Sequence, residues 1–127
     1  MNEKRLGHPR FHQILDEMRM LHDNKNQDYA GKADSLANFR ECERWGLKAS
    51  IGAFTRLSDK YCRIVQLLRK EQEGGGGPAV STETINDTLM DLANYSVLTR
   101  VLREEEMQER IRALDPRSED LDSSCGN

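Results

Sequence analysis

Four consecutive glycines followed by a proline, residues 74–78, interrupt the chain beyond its midpoint. Glycine loses more backbone entropy than any other residue when a helix forms, and proline lacks the N–H group that a helix interior needs. A helix is therefore not expected to continue through this segment. Segments with helical periodicity lie on both sides of it, and a flexible loop of this kind lets two helices turn back antiparallel to each other.

Apolar residues recur at three- and four-residue steps in four segments that we predict to be helical. These segments are residues 9–24, a short piece at 35–45, residues 50–72, and a last helix from 81 or 82 to 112. Gly46 is the expected C-terminal cap of the short helix, Ser50 is the expected N-cap of the next helix, and the polar residues 24–31 are expected to form a loop. Because no segment alternates at period two, we predict an all-α fold, an antiparallel bundle of three to four helices.

The chain has 127 residues, which is enough for one domain. We expect that domain to span residues 9–112, with a flexible N-terminus at 1–8 and a disordered polar tail at 113–127. An apolar stripe is predicted along the third segment. Its members are Ile51, Phe54, Leu57, Tyr61, Ile64, Val65 and Leu68. Two apolar sides on antiparallel helices favour a second layer, so we expect a homo-oligomer.

The charge balance argues against partners that are nucleic-acid polymers or membranes. The formal net charge is −3, whereas proteins that bind nucleic-acid phosphates carry clustered positive charge. No apolar run approaches the length that spans a bilayer, and residues 1–9 carry charge and a proline instead of an apolar signal region. A cytoplasmic protein is therefore expected, and a small anionic ligand is compatible with this composition.

Three acidic residues in the last predicted helix, Glu83, Asp87 and Asp91, are spaced four residues apart. On a helix they share one side, where like charges repel unless a cation relieves them. Oxygen ligands at close quarters suit Mg²⁺ or Mn²⁺, which in turn suit phosphates. The same side continues through Asn94 and Tyr95 to the apolar Leu98, Val101 and Leu102. That continuation favours a covered face over the alternative, a solvated acidic surface.

The preceding helix offers a complementary set of charges. Asp59 can add a fourth carboxylate, and Arg56, Lys60 and Arg63 supply positive charge at steps of four and three residues. Two interpretations stay open. The cations can pair with the acids of the next helix as salt bridges, or the carboxylates can hold a metal while the cations hold phosphate oxygens.

The predicted loop concentrates a cation, an amide, a carboxylate and an aromatic ring, at Lys25, Asn26, Asp28 and Tyr29, and Asn38 and Arg40 follow shortly after. Loop residues of these types suit recognition of a base and its phosphates. The alternative is a turn with a half-buried tyrosine.

These residues form motifs that resemble the phage nucleotide-modification-associated proteins, which are similar to the MazG-like and dimeric dUTPase all-α pyrophosphatases. The resemblance covers about residues 11–102. Its motifs are Lys25-x-x-Asp28-Tyr29, Leu36-Ala37-Asn38-Phe39-Arg40, Arg56-x-x-Asp59-Lys60-x-x-Arg63 and Glu83-x-x-x-Asp87-Thr88-Leu89-x-Asp91-Leu92-Ala93-Asn94-Tyr95. The last motif is the most specific.

The resemblance implies a MazG-like bundle, a homodimer or homotetramer, and Mg²⁺-dependent cleavage of a nucleoside triphosphate to the monophosphate and pyrophosphate. Asp87 and Asp91 match the acids of the family's third helix, and Asp59 matches the first acid of its second helix. Lys60 and Arg63 stand where further acids are expected, and this departure favours a non-catalytic nucleotide-binding protein as the alternative. A helical scaffold is a second alternative.

The expected mechanism is metal-assisted hydrolysis. The predicted metal and catalytic residues are Asp59, Glu83, Asp87 and Asp91. Lys25, Lys60 and Arg63 are expected to neutralise the triphosphate, and Asp28 or Glu83 is the candidate general base. The full set of predicted substrate-binding residues is Lys25, Asp28, Tyr29, Asn38, Arg40, Arg56, Lys60, Arg63, Asn94 and Tyr95.

Overall fold

The structure is a computed structural model that describes residues 6–28, 36–74, 78–115 and 117, apart from the side chains of residues 26–28 and 78–83. Every regular element in these ranges is helical, which confirms the all-α prediction. The elements are α1 (Pro9–Asp28), α2 (Ala37–Arg40), a 3₁₀ helix (Glu41–Trp45), α3 (Ala49–Gln72) and α4 (Pro78–Leu114). None of the helices in the described ranges combines the length and apolar character required to cross a bilayer.

The chain divides into two compact units, Met1–Asn38 and Phe39–Asn127. The first unit contains α1, which runs four residues beyond the predicted end at Asn24. The predicted loop is therefore wrong for residues 24–28, while 29–31 lie outside the described residues. Asparagine and aspartate each lower helix propensity by well under about 1 kcal/mol, which does not by itself end a helix of this length.

The second unit is built on α3 and α4, which pack along each other. Ser50 near the start of α3 contacts Glu106, and Lys60, further along, contacts Asp91. Because the partner number falls as the α3 number rises, the two helices are antiparallel, as the glycine-rich break predicts. Small and apolar side chains fill the seam. The buried residues of α3 and α4 are Ala49, Ser50, Ala53, Ile64, Ile85, Thr88 and Leu102.

The predicted apolar stripe of α3 is only partly buried. Ile64 is buried, whereas Phe54 and Tyr61 are more than half exposed. Successive residues of a helix point about 100° apart, so the residues that face α4 and the larger apolar residues beside them occupy neighbouring stripes. The small side chains Ala49 and Ala53 face the seam, where they let the helices approach closely.

The two predicted caps of this region have different outcomes. Gly46 caps the 3₁₀ helix in the left-handed conformation, with φ 80°, as predicted. Ser50 is not the N-cap of α3, because the helix begins at Ala49 and Lys48 holds the cap position without a side-chain hydrogen bond. The Ser50 backbone N–H instead donates to the Glu106 carboxylate at 3.2 Å, and its hydroxyl donates to the same carboxylate. A side chain of α4 thus satisfies an α3 terminus that has no local cap.

The boundaries of the other helices also differ slightly from the predictions. The short predicted helix at 35–45 consists of α2 and a 3₁₀ helix, and its predicted first residue, Ser35, lies outside the described residues. Helix α4 begins at Pro78, because proline is well tolerated in a first helical turn, and it ends at Leu114, two residues beyond the prediction.

Candidate phosphate-binding recess

One recess in the second unit collects most of the charged residues that were predicted on α3. It has a volume of about 550 Å³, is open to solvent, and is lined by Arg56, Asp59, Lys60, Arg63 and Tyr95. The first four come from two turns of α3, and Tyr95 comes from α4. This volume is within the range of about 300–1,000 Å³ that is usual for small-molecule sites.

Positive charge exceeds negative charge on the walls of this recess, with three cations against one carboxylate. Lys60 forms an ion pair with Asp91 of α4, with 2.9 Å between Nζ and the carboxylate oxygen. Within the described part of the chain, neither Arg56 nor Arg63 has a carboxylate at ion-pair distance. Two guanidinium groups are therefore available to an anionic ligand, for which their planar set of N–H donors is well suited.

The sequence left open whether the cations of α3 pair with the acids of α4 or bind phosphate oxygens. The structure decides this at one position only. Lys60 and Asp91 form the predicted salt bridge between the helices. Arg56 takes a different partner, because its guanidinium carbon lies 5.7 Å from the centre of the Phe39 ring, a cation–π contact. The Phe39 ring in turn packs edge-on against Tyr95, with 6.2 Å between the ring centres.

The predicted row of acids on α4 winds around the helix instead of facing one way. A step of four residues turns about 40° beyond a full turn, so Asp87, Asp91 and Tyr95 point in successively different directions. Asp87 is accordingly exposed, Asp91 is half-buried against Lys60, and Tyr95 lines the recess. The side chain of Glu83 lies outside the described residues.

The expectation that protein covers this whole side of α4 holds only in part. Leu102 is fully buried and Leu98 is half-buried, but Val101 remains exposed, as Asp87 does. Val101 and Leu102 are consecutive residues whose side chains point about 100° apart, so both cannot face the seam with α3.

The described carboxylates do not assemble a metal site on their own. Among the side chains that the structure describes, no three or more His, Cys, Asp or Glu residues form a group that could hold a metal ion. Asp59 lines the recess, Asp91 is paired with Lys60, and Asp87 faces solvent. Mg²⁺ commonly uses only one or two protein carboxylates and completes its shell with water and substrate phosphates. Asp59 and Asp91 are the described carboxylates that would supply such ligands.

The remaining predicted site residues lie elsewhere. Arg40 does not line the recess, because it forms an ion pair with Glu105 of α4 at 2.6 Å. Asn94 is half-buried on α4 and does not line the recess. In the first unit, Lys25 lies in the last turn of α1 and Asn38 is exposed. The side chain of Asp28 and the whole of Tyr29 lie outside the described residues.

Sequence reasoning missed Phe39 and two glutamates in the C-terminal half of α4, Glu105 and Glu106. Phe39 belongs to one of the quoted motifs, but only its polar neighbours were selected there. Glu105 and Glu106 were not selected, although they hold Arg40 and the start of α3. Their role depends on which residues α4 brings opposite them, and the local pattern does not carry that information.

Comparison with known protein families, with curated proteins and with solved structures finds no match for this chain.

Proposed function

We propose that this protein binds a nucleoside triphosphate or a related nucleotide in the recess between α3 and α4. The observation that carries the proposal is the convergence of Arg56, Lys60 and Arg63 on one recess, with both arginines lacking a carboxylate partner in the described chain. Two guanidinium groups without a carboxylate partner, beside a third cation, attract a polyanion. The phosphates would lie against these groups.

Tyr95 supports a nucleotide over inorganic polyphosphate as the ligand. It is the aromatic side chain on the recess wall, and its ring is held by Phe39. An aromatic face next to a cationic wall suits a base attached to phosphates, since stacking is worth about 1–3 kcal/mol per base. We expect base stacking on Tyr95 to add affinity beyond that of pyrophosphate alone.

Titration calorimetry with pyrophosphate, a nucleoside and a panel of NTPs and dNTPs tests this proposal. Arg63→Gln should weaken triphosphate binding about tenfold or more, because a hydrogen bond to a charged group contributes about 1.5–3 kcal/mol. Arg69→Gln, the same charge change two turns further along α3 and outside the recess, is the matched control. Equal effects of the two substitutions would place the ligand elsewhere. No binding and no thermal shift with any nucleotide would favour a helical scaffold instead.

The second candidate function is Mg²⁺-dependent hydrolysis of the triphosphate to the monophosphate and pyrophosphate, which the family resemblance implies. The observation in its favour is the position of Asp59 on the recess wall and of Asp91 bonded to a residue of that wall. When bound with the triphosphate, Mg²⁺ supplies charge neutralisation and an acidified water. Asp59 and Asp91 would hold it, with Asp87 and Glu83 as the further predicted ligands, and Mn²⁺ would suit the same oxygens.

Pyrophosphate release from dNTPs in the presence of Mg²⁺ tests the hydrolase proposal. Turnover is expected in the wild-type protein and its loss in Asp59→Asn, while Glu71→Gln, an exposed carboxylate change at the end of α3, should leave it unchanged. Tight nucleotide binding without any turnover would leave the binding proposal standing and overturn the enzymatic one.

We also propose that the protein is a cytoplasmic homodimer or homotetramer. Several large apolar side chains are exposed on α3 and α4 within the described chain, among them Phe54, Tyr61, Val97 and Ile111. If oligomerisation buries these side chains together, it removes their apolar surface from water, which favours association. Sedimentation velocity tests the proposal, and a concentration-independent monomer would contradict it.

A further inference from the structure

Phe39 is a buried aromatic residue that contacts two walls of the recess without lining it. Only 8% of its surface is exposed. Its ring lies under the Arg56 guanidinium of α3 and against the Tyr95 ring of α4, with an interplanar angle of 81° to the latter. One side chain therefore contacts the groups that would bind phosphate and base.

Contacts with neighbouring elements hold Phe39 in place. The Cys42 sulfur lies 3.2 Å from the Phe39 carbonyl oxygen, the shortest of the three carbonyl contacts that are open to its one S–H donor. The next residue, Arg40, is tied to Glu105 of α4 at 2.6 Å. The chain that follows Phe39 is thus tied to the 3₁₀ helix and, through the Arg40 side chain, to α4, and the ring itself is buried.

The two side chains that Phe39 contacts need an external support. Arg56 is exposed and has no carboxylate at ion-pair distance in the described chain, so its long side chain would otherwise sample many rotamers. Restricting such a side chain before the ligand arrives removes part of the entropy cost of binding. The cation–π contact leaves the edge of the guanidinium, with its N–H donors, free to meet phosphate.

We propose that Phe39 is a positioning residue of the recess, which preorganises Arg56 for phosphate and Tyr95 for the base. This inference rests on the proposed nucleotide binding. It assigns Phe39, the aromatic member of the 36–40 motif, a role in ligand affinity, although its side chain does not line the recess.

Pyrophosphate titration of three variants tests the proposal. Phe39→Leu keeps an apolar side chain but removes the ring, and the loss of a cation–π contact should weaken pyrophosphate binding about two- to fivefold. Phe39→Tyr keeps the ring and should restore the affinity. In an Arg56→Gln background, Phe39→Leu should have no further effect, because the group through which Phe39 acts is gone. Circular dichroism verifies that each variant is folded.

Two results of the titration would overturn the inference. One is a folded Phe39→Leu variant with wild-type affinity, and the other is an equal loss from Phe39→Leu with and without Arg56. A purely structural role of Phe39 predicts the second result, so the double-mutant cycle separates positioning from general packing.

Nuclear magnetic resonance of the wild-type protein provides a test that needs neither a variant nor a ligand. The Phe39 ring should shift the Arg56 side-chain protons upfield. Both these protons and the Tyr95 ring protons should show cross-relaxation with the Phe39 ring. Absence of these contacts overturns the inference even if Phe39→Leu fails to fold. A wild-type protein that binds neither pyrophosphate nor any nucleotide overturns the proposed function, and the ring contacts then decide whether Phe39 holds Arg56 and Tyr95.

Discussion

Asp91 neutralises one of the three cations at the recess, so we expect Asp91→Asn to strengthen anion binding while weakening the fold. The carboxylate lies 2.9 Å from Lys60 Nζ, and the side chains of Lys60 and Asp91 are 30% and 33% exposed. Because both side chains are only partly exposed, we expect the pair to contribute about 1 kcal/mol to the free energy of unfolding, near the upper end of the range for solvent-accessible ion pairs. A phosphate that recruits Lys60 must compete with Asp91. Removing this competition corresponds to an affinity gain of up to about fivefold.

Calorimetry with pyrophosphate, without Mg²⁺ and at low ionic strength, measures this gain. Asp87→Asn is the matched control, because it makes the same charge change one turn away on α4, at an exposed side chain without an ion-pair partner in the described chain. It should change the affinity less than about twofold, and the advantage of Asp91→Asn should shrink as salt screens Lys60. An equal gain in both variants would mean that only the overall charge matters. A loss of affinity in Asp91→Asn would refute the role of Asp91 as a competing anion.

The same substitution should lower stability, because Lys60 loses its partner in the seam between α3 and α4. A loss of about 1 kcal/mol lowers Tm by about 3–6 °C for a chain of this size. Differential scanning calorimetry measures it, and saturating pyrophosphate should recover part of the loss by occupying Lys60. If Asp91→Asn melts at the wild-type temperature, the ion pair contributes nothing to the fold and the predicted affinity gain loses its basis.

Three further substitutions test the packing that positions the recess, and urea denaturation measures each of them. Leu102→Ala should destabilise the protein by about 2–5 kcal/mol, because Leu102 is completely buried, and a change below about 1 kcal/mol would show that α4 is not seated as described. Glu106→Ala should cost about 1.5–3 kcal/mol, since it leaves the buried Ser50 N–H and hydroxyl without their acceptor, and an unchanged stability would mean that water replaces the carboxylate. Gly52→Ala should destabilise the protein by about 1–3 kcal/mol, because the added Cβ would lie 2.9 Å from the Cys42 sulfur. In a Cys42→Ala background the same substitution should stabilise the protein by about 0.5–1 kcal/mol, because only the higher helix propensity of alanine remains. Destabilisation in both backgrounds would show that the Cys42 sulfur is not the obstacle.

The helices could be predicted because their signals are local. Periodic apolar residues and the glycine–proline break identified α3 and α4, and the end of α3 at Gln72 and the cap at Gly46 were predicted correctly. The end of α1 was predicted too early, because turn-forming residues were given more weight than their small energetic effect on a continuing helix justifies. The predicted N-cap of α3 was wrong, because the Glu106 carboxylate, which is distant in sequence, accepts the Ser50 N–H in place of a local capping side chain.

The candidate site was predicted in composition but not in arrangement. Spacing alone grouped Arg56, Asp59, Lys60 and Arg63 on one side of α3, and these residues line one recess. Spacing also treated Asp87 and Asp91 as equivalent. They are not equivalent, because the 40° drift per four residues turns one toward solvent and the other toward Lys60.

Sequence alone determined that the chain is helical, that α4 runs back antiparallel to α3, and that one stretch of α3 is rich in cations. These properties depend on the conformational preferences of neighbouring residues and on their repeat along the helix. Tertiary structure alone decided that Lys60 is paired while Arg56 and Arg63 have no carboxylate partner in the described part of the chain, that Phe39 contacts Arg56, and that Glu106 completes the start of α3. Those contacts depend on the rotation and register of α4 against α3, which long-range packing sets and which no short segment of sequence encodes.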